Sequence, residues 1–427
     1  MQQKKTTKNY FFTSESVGEG HPDKVADAIS DAILDNLMAY DSKARVACET
    51  LVTTGQVVVA GEVKSNTYVD LQQIARNTIN RIGYTKSEYQ FDGNSCGVLN
   101  AIHEQSDDIN RGVDNGDEKN QGAGDIGIMF GYATNETEAY MPLTSFLAHL
   151  IVKTLDETRH EGKEMTYLRP DSKAQVTVEY SPEGKPLRID SIVVCAQHDD
   201  IFGDSDKKMQ ETIANDVRNC IFRKMKAVIS DKNVAAMLDG DLKLLVNPTG
   251  KFVIGGPHGD TGLTGRKIIV DTYGGRGAHG GGAFSGKDSS KVDRSAAYAM
   301  RHIAKNMVAA GICDEVLVQV SYAIGKAEPM SLYINTYGTN HTEYDDGAIA
   351  DKIGQIFDLR PKAIEKRLKL RQPMFSETTA YGHFGRKNET VSKVFTDRYN
   401  AEKTLEVELF TWEKLDFVKT LQEEFEI

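Results

Sequence analysis

Little in this chain would serve to staple it, anchor it or fix it to nucleic acid. Its 427 residues include five cysteines (Cys48, Cys96, Cys195, Cys220 and Cys313), widely spaced and with no CxxC pair. That pattern argues against a disulfide framework and against structural zinc, and it points to a reducing compartment. The expected location is therefore cytoplasmic. No uninterrupted apolar run could span a bilayer, and the basic start MQQKKTTKNYFF lacks the apolar core of a signal peptide. Positive charge is also in short supply: 51 Lys and Arg stand against 62 Asp and Glu, for a net charge of −11. General nucleic-acid binding is disfavoured, and no membrane partner is expected. A single tryptophan, Trp412, lies near the end. The length suits two to four units that each carry a core.

What the chain has instead is glycine, concentrated in one place. Twelve of its 37 glycines fall between Gly255 and Gly286, within the stretch Gly250–Arg294. Lys251, Arg266, Lys267, Lys287, Lys291 and Arg294 are interleaved with them, and Ile268, Ile269 and Val270 read as a buried strand. Glycines let backbone N–H groups approach an anion closely, and the cations add full charges. The combination suits a polyphosphate of charge about −4, such as ATP carries. Asp260, Asp271 and Asp293 beside it suggest Mg²⁺ bridging carboxylate and phosphate.

Two familiar motifs nearly fit and then fail. Gly281–Asp288, GGAFSGKD, has the P-loop spacing, but Asp288 stands where a Ser or Thr would bind Mg²⁺. Gly275, Gly277 and Gly280 satisfy GxGxxG, yet more glycine follows where a helix should begin, and the next helical pattern starts near Asp293. A second match, Gly122–Gly127, precedes a strand rather than following one.

The order of elements repeats. A helix opens at Pro22 and runs to about Tyr40, with Val25, Ile29, Ile33 and Leu37 on one face. Two β-rich runs, Arg45–Thr53 and Gln56–Val63, precede a helix at Tyr68–Ile82 and a strand at Cys96–Ile102. The pattern recurs with a helix at Leu143–Thr158, a hairpin at Ala174–Tyr180 and Leu187–Gln197, a helix at Lys207–Val228 and a strand at Leu242–Asn247. It recurs again with a helix at Asp293–Ala310, a hairpin at Glu315–Ile324 and Ser331–Tyr337, and a helix at Asp345–Phe357. The simplest account is an α/β (α+β) chain of three similar units, each laying helices on one face of a sheet. The polar run Gln105–Gly124 is either a disordered linker or a loop that closes over a site. Ile126–Tyr132 reads as a strand, and the acidic tail Thr396–Ile427 as a peripheral helix.

GEGHPDK (Gly18–Lys24), GAGDIGIMFGYATNE (Gly122–Glu136) and the Gly250–Arg294 stretch resemble the signatures of the S-adenosylmethionine synthetases, or methionine adenosyltransferases. ARVACET (Ala44–Thr50), LRPDSKAQVT (Leu168–Thr177), KVDRSAAY (Lys291–Tyr298) and YGHFGR (Tyr381–Arg386) fit as well, so the similarity spans roughly Phe11 to Arg386. The resemblance implies three domains about a pseudo-threefold axis: 9–107, 125–240 and 241–395, with a mobile gate loop at 108–124 and an extension at 396–427. It implies dimers, usually paired into tetramers, with active sites between the two subunits of a dimer. It also implies an enzyme in which methionine sulfur attacks C5′ of ATP and expels triphosphate, which is then cleaved to pyrophosphate and phosphate.

Roles follow residue by residue from the same resemblance. His21 lies beside the breaking bond, and Lys173, Arg266, Lys267, Lys287 and Lys291 contact triphosphate and substrates. ATP is bound by His21, Asp171, Lys173, Lys251, Phe252 on the adenine, Asp260, Arg266, Lys267, Ala283 and Lys287. Methionine is bound by Glu62, Gln105, Asp125, Asp260 and Lys291. Asp23 and Asp293 hold a pair of Mg²⁺ ions, and Glu49 belongs to a K⁺ site. The chain departs from the usual pattern at Lys251 (commonly Arg), Ile126 (commonly Gln), Thr261 (often Cys or Ala) and in its longer tail. Two other classes stay open on the residues alone: a phosphotransferase using Gly281–Asp288, which would release ADP, and a noncatalytic nucleotide-binding regulator.

Overall fold

The computed structural model describes residues 7–104, 121–203, 205–397, 399 and 401–427. Its first helix, α1 (Pro22–Tyr40), starts with Pro22 where a missing N–H goes unnoticed, and the His21 side chain caps it. Val25, Ile29, Ile33 and Leu37 are all buried against the sheet beneath. A second row runs along the same helix. Asp23, Asp27, Asp31 and Asp35 stand one turn apart, and all four are buried. A helix that buries four carboxylates must meet their partners elsewhere in the chain.

Three sheets carry the fold, and each takes one strand from a neighbouring segment. β1 (Tyr10–Val17) joins β6 (Leu168–Tyr180), β7 (Pro186–His198) and β8 (Lys243–Val246). β5 (Gly127–Thr134) joins β10 (Glu315–Tyr322) and β11 (Ser331–Asn335). β9 (Gly262–Leu263) extends the sheet of β4 (Gly97–Glu104), β3 (Gln56–Lys64) and β2 (Arg45–Thr53). The exchange is cyclic: first segment to central, central to third, third to first. Three similar sheet-plus-helix units are thereby tied into one ring. Helices α1 and α2 (Leu71–Ile82) cover the first sheet, α3 (Leu143–Glu161) the second, and α4 (Val292–Ala310) the third.

Several expected elements shift, each for a local reason. The second helix begins at Leu71 rather than Tyr68, because Asp70 caps it by accepting the N–H of Gln73. Strand β5 lies one to two residues beyond its expected bounds, at Gly127–Thr134. The helical run expected at Lys207–Val228 contains a π-turn at Val217–Ile221. Ile268–Val270 is not a strand but part of a single helical turn, Ile268–Asp271, and Ile269 is exposed. The turn aims Asp271 at Lys24 on α1, a contact that an extended run would not make. The tail is not a peripheral helix. Its strand β13 (Glu402–Leu409) closes a hairpin with β12 (Glu389–Thr396), which precedes it, and a short helix, Val418–Phe425, follows. Trp412 is fully buried and stacked on Tyr298 of α4 at 3.7 Å between ring centroids. The expected gate loop lies almost wholly outside the described residues.

Candidate active site

The row of aspartates on α1 is what holds the glycine-rich stretch in place. Asp23 Oδ1 accepts the N–H of Leu263 at 2.9 Å, Asp27 Oδ1 that of Gly265 at 2.8 Å, and Asp31 Oδ1 that of Gly286 at 2.8 Å. Asp35, at the far end, takes the N–H groups of Phe375 and Ser376, each at 2.9 Å. Backbone donors that a glycine loop would otherwise leave unpaired are thus satisfied by carboxylates at a helical spacing. Gly286 has to be glycine: its φ is +79°, and a Cβ there would lie 1.8 Å from the carbonyl oxygen of Cys48. Gly286 and Lys287 thereby complete the edge of β2 beside Ala47 and Cys48.

At the head of α1 a first group of the expected site side chains gathers. His21 Nδ1 accepts the N–H of Asp23 at 3.2 Å, so in the neutral ring the hydrogen sits on Nε2. Burial, with Lys267 and Lys173 close by, drives the imidazole down to about 3, so it is neutral at physiological pH. Lys267 Nζ donates to Asp23 Oδ2 at 2.6 Å, and Arg266 Nε lies 3.8 Å from Asp23 Oδ1. Burial alone would raise the Asp23 carboxyl, but the Lys267 and Leu263 hydrogen bonds hold it below its ordinary value.

Asp171, on β6, binds the Gly256 N–H through Oδ2, while its buried Oδ1 has no partner. Burial pushes this carboxyl up to about 6, with Asp260 adding to the rise and Lys173 and Lys267 opposing it. A buried carboxylate oxygen without a donor, among cations, is a place for a ligand's N–H or O–H. Phe252 is set nearby by its N–H to His198 Nε2 at 3.1 Å, and its ring fills the space above Gly255. Lys251 reaches Asp200 at 3.0 Å.

A second group lies on the other side of the glycine stretch. Lys287 Nζ donates to Asp293 Oδ2 at 2.7 Å, with Asp293 at the head of α4 against Gly282 and Gly127. Lys291 caps the same helix and is paired with Asp288. Asp288, the residue that spoils the P-loop, is fully buried and binds the N–H of Val46 at 2.8 Å. Burial opposes its ionisation, but Lys291, Arg371 and Arg45 hold it well below the carboxylate range. Along the outer face of the first sheet, Lys287, Ala47, Glu62 and His103 follow one another from strand to strand. Glu62 lies 3.4 Å from His103. Glu49 is exposed on that face, and Asp125 is exposed just before β5.

The site residues read from the sequence therefore fall into two groups. His21, Asp23, Asp171, Lys173, Phe252, Asp260, Arg266 and Lys267 form one; Glu49, Glu62, Asp125, Lys287, Lys291 and Asp293 form the other. Ala283 stands at the seam, against Gly265. Among the described residues no hydrogen bond or ion pair joins the two groups, and Gln105 lies outside those residues. Of the departures, Ile126 is exposed, and Thr261 bonds Thr53 through the hydroxyls at 3.1 Å.

Sequence reasoning missed the supports: Lys24 between Asp27 and Asp271, Asp31 gripping Arg294 through both oxygens at 2.7 Å, and Asp156 under the Glu19 N–H at 3.0 Å. The four-residue spacing of the α1 aspartates was the available signal.

Sequence models of S-adenosylmethionine synthetase match the chain in three parts: its N-terminal domain at residues 9–107, its central domain at 120–252 and its C-terminal domain at 254–393. The S-adenosylmethionine synthase of Phocaeicola vulgatus is 65% identical over 426 residues, which is 97% of this chain and 99% of the relative. That of Bacteroides fragilis is 64% identical over the same length, with the same coverage of each chain. That of Flavobacterium johnsoniae is 63% identical over 416 residues, 97% of this chain and 99% of the relative. The chain belongs to the S-adenosylmethionine synthetase family.

Proposed function

We propose that this chain is a methionine adenosyltransferase that joins ATP and L-methionine into S-adenosylmethionine. The observation that carries the reading is the neutral, buried His21 with Lys267 and Lys173 close by. A thioether has no proton to lose, so a general base would do nothing for it. Rate must come from alignment at roughly 3–3.5 Å and from stabilising the leaving group's charge. A lone pair on sulfur forms the S–C5′ bond, the C5′–O bond breaks, and triphosphate leaves with the electron pair while sulfur becomes a sulfonium. His21 Nε2–H donates to the departing oxygen, and Lys173, Lys267 and Arg266 take up the developing charge. Asp171 Oδ1 accepts a hydrogen from the nucleotide, and Phe252 packs on the adenine. Water then cleaves the held triphosphate to pyrophosphate and phosphate.

The second group completes this site from another copy of the chain. Its outer-face position supports this. Leu263, Leu51, Val58 and Leu99 align across the first sheet on the side away from α1, and Leu99 is 54% exposed. Such a row asks for a cover, and Glu49, Glu62 and Lys287 share its face. In the two-copy site Asp125, Asp260, Glu62 and Gln105 take methionine, and Lys287 and Lys291 face the triphosphate.

Among the described residues no cluster of three His, Cys, Asp or Glu could hold a metal by itself. One carboxylate on each side, Asp23 and Asp293, suits Mg²⁺, which is held by one or two carboxylates and the phosphates themselves. When bound it would neutralise phosphate charge; Glu49 would serve K⁺. A cytoplasmic location fits the unpaired cysteines. Among the described residues no helix is long and apolar enough to cross a membrane.

Product analysis after incubation with ATP, methionine, Mg²⁺ and K⁺ tests the reading: S-adenosylmethionine, pyrophosphate and phosphate support it, and ADP would overturn it. His21→Asn is expected to slow S-adenosylmethionine formation far more than hydrolysis of added triphosphate. Equal loss of both in a folded variant would remove His21 from the substitution step.

A further inference from the structure

Beside the second group, the start of β2 and the turn after β3 meet the segment Pro361–Arg371. Asp41, Lys43, Arg45, Lys64, Lys362 and Arg371 line an open cavity of about 420 Å³ there. Its charges do not balance. Lys362 and Arg371 are answered by Glu365, at 2.8 and 2.6 Å. Asp41 spends its oxygens on the N–H groups of Lys43 and Asn66 and on the Ser65 hydroxyl. Asp288, beneath the cavity, serves Lys291 first, and lies 3.7 Å from both Arg45 and Arg371, beyond hydrogen-bond length. Lys43 and Lys64 have no ion-pair partner among the described residues. Arg45 Nη1 is buried with no hydrogen-bond partner at all.

Five cations thus stand against three carboxylates, and one guanidinium nitrogen beside the concave space makes no hydrogen bond. An arginine fork with a free buried donor, flanked by two loose lysines, matches the geometry of a phosphate oxygen set. A single carboxylate would leave half of the excess charge unanswered. The concavity and the chain's net charge of −11 do not suit a nucleic-acid strand. We propose that this cavity is a second anion site, taking a small, multiply charged phosphate compound on Lys43, Arg45 and Lys64.

Calorimetric titration with inorganic pyrophosphate in magnesium-free buffer tests it on three full-length proteins: the wild type, K43Q/K64Q and K173Q/K267Q. The last removes the cations around His21 and leaves the cavity intact. The site is expected to persist in K173Q/K267Q and to weaken at least tenfold in K43Q/K64Q, whose turnover stays within about twofold of wild type. Pyrophosphate binding unchanged in K43Q/K64Q, or lost altogether in K173Q/K267Q, overturns the proposal. So does acetate binding as tightly as pyrophosphate.

Discussion

Asp23 and Asp31, two members of the aspartate row on α1, share residue type and burial, yet their partners differ. Asp31 is gripped by Arg294, whose side chain is only 1% exposed and also bonds Thr378 and Tyr298. Asp23 is held by Lys267 and Arg266, whose side chains are 22% and 49% exposed. The second group repeats the contrast: Lys287 and Asp293 are partly open, whereas Arg301, further along α4, and its partner Glu413 in the tail are sealed. A sealed pair cannot part without stranding a charge in low dielectric. An open pair can exchange its carboxylate for another anion with little rearrangement. What separates frame from site is therefore the accessibility of the cation, not the presence of an ion pair.

The largest effect that sharpens this contrast is expected at the sealed pair. Arg294→Met leaves Asp31 buried without its partner and should lower stability by about 3–5 kcal/mol. A denaturant midpoint equal to that of wild type would mean the pair is not structural. At the open pair Lys267→Met should leave stability within about 1 kcal/mol of wild type, because Asp23 keeps the Leu263 N–H. Its turnover should fall about 100-fold, near 2.7 kcal/mol of transition-state stabilisation. Loss of stability without loss of turnover would reverse the assignment.

Smaller effects should appear as pH dependence within the frame. His149, on α3, bonds Ser16 through Nδ1 at 2.7 Å, and burial foremost drives its ring down to about 3. Below the ordinary histidine value of 6.5 the unfolded chain takes up a proton that the folded chain refuses. Stability therefore falls as pH drops from 6.5 toward 3, and His149→Gln should make that fall shallower. Asp156 has the opposite sign. Burial, then Glu19, push it up to about 7, so the folded state keeps a proton that the unfolded chain releases above 3.8. Its destabilising contribution grows between those values, and Asp156→Asn should flatten the decline in melting temperature from pH 4 to 7. A steeper profile in either variant would contradict these signs.

Much of this was legible in the residues. The apolar face of α1, the hairpins and the three-fold recurrence of elements follow from hydrophobic spacing, and the glycine-rich motifs named the chemistry. What stayed hidden depends on contacts distant in sequence. The cyclic trade of β1, β5 and β9 depends on long-range strand pairing, which periodicity does not report. Ile268–Val270 has a strand's composition but no strand beside it, and its turn is set by Lys24, 247 residues away from Asp271. Trp412 reads as a lone aromatic in an acidic tail; its burial depends on Tyr298 and on the pairing of Glu413 with Arg301 and Lys305. The division of site residues into two groups was not legible either, since both take residues from one continuous glycine-rich stretch.

That division is the centre of the account, and subunit complementation tests it most directly. Lys267→Met disables the first group and Lys287→Met the second, so each protein alone should be nearly inactive. Unfolded together in equal amounts and refolded, they should form mixed dimers with one intact site in two. The mixture should then recover about a quarter of the wild-type rate of S-adenosylmethionine formation. If the mixture stays as inactive as its parents while affinity capture of one tagged variant brings down the other, both groups serve a site within one chain and the two-copy arrangement is wrong.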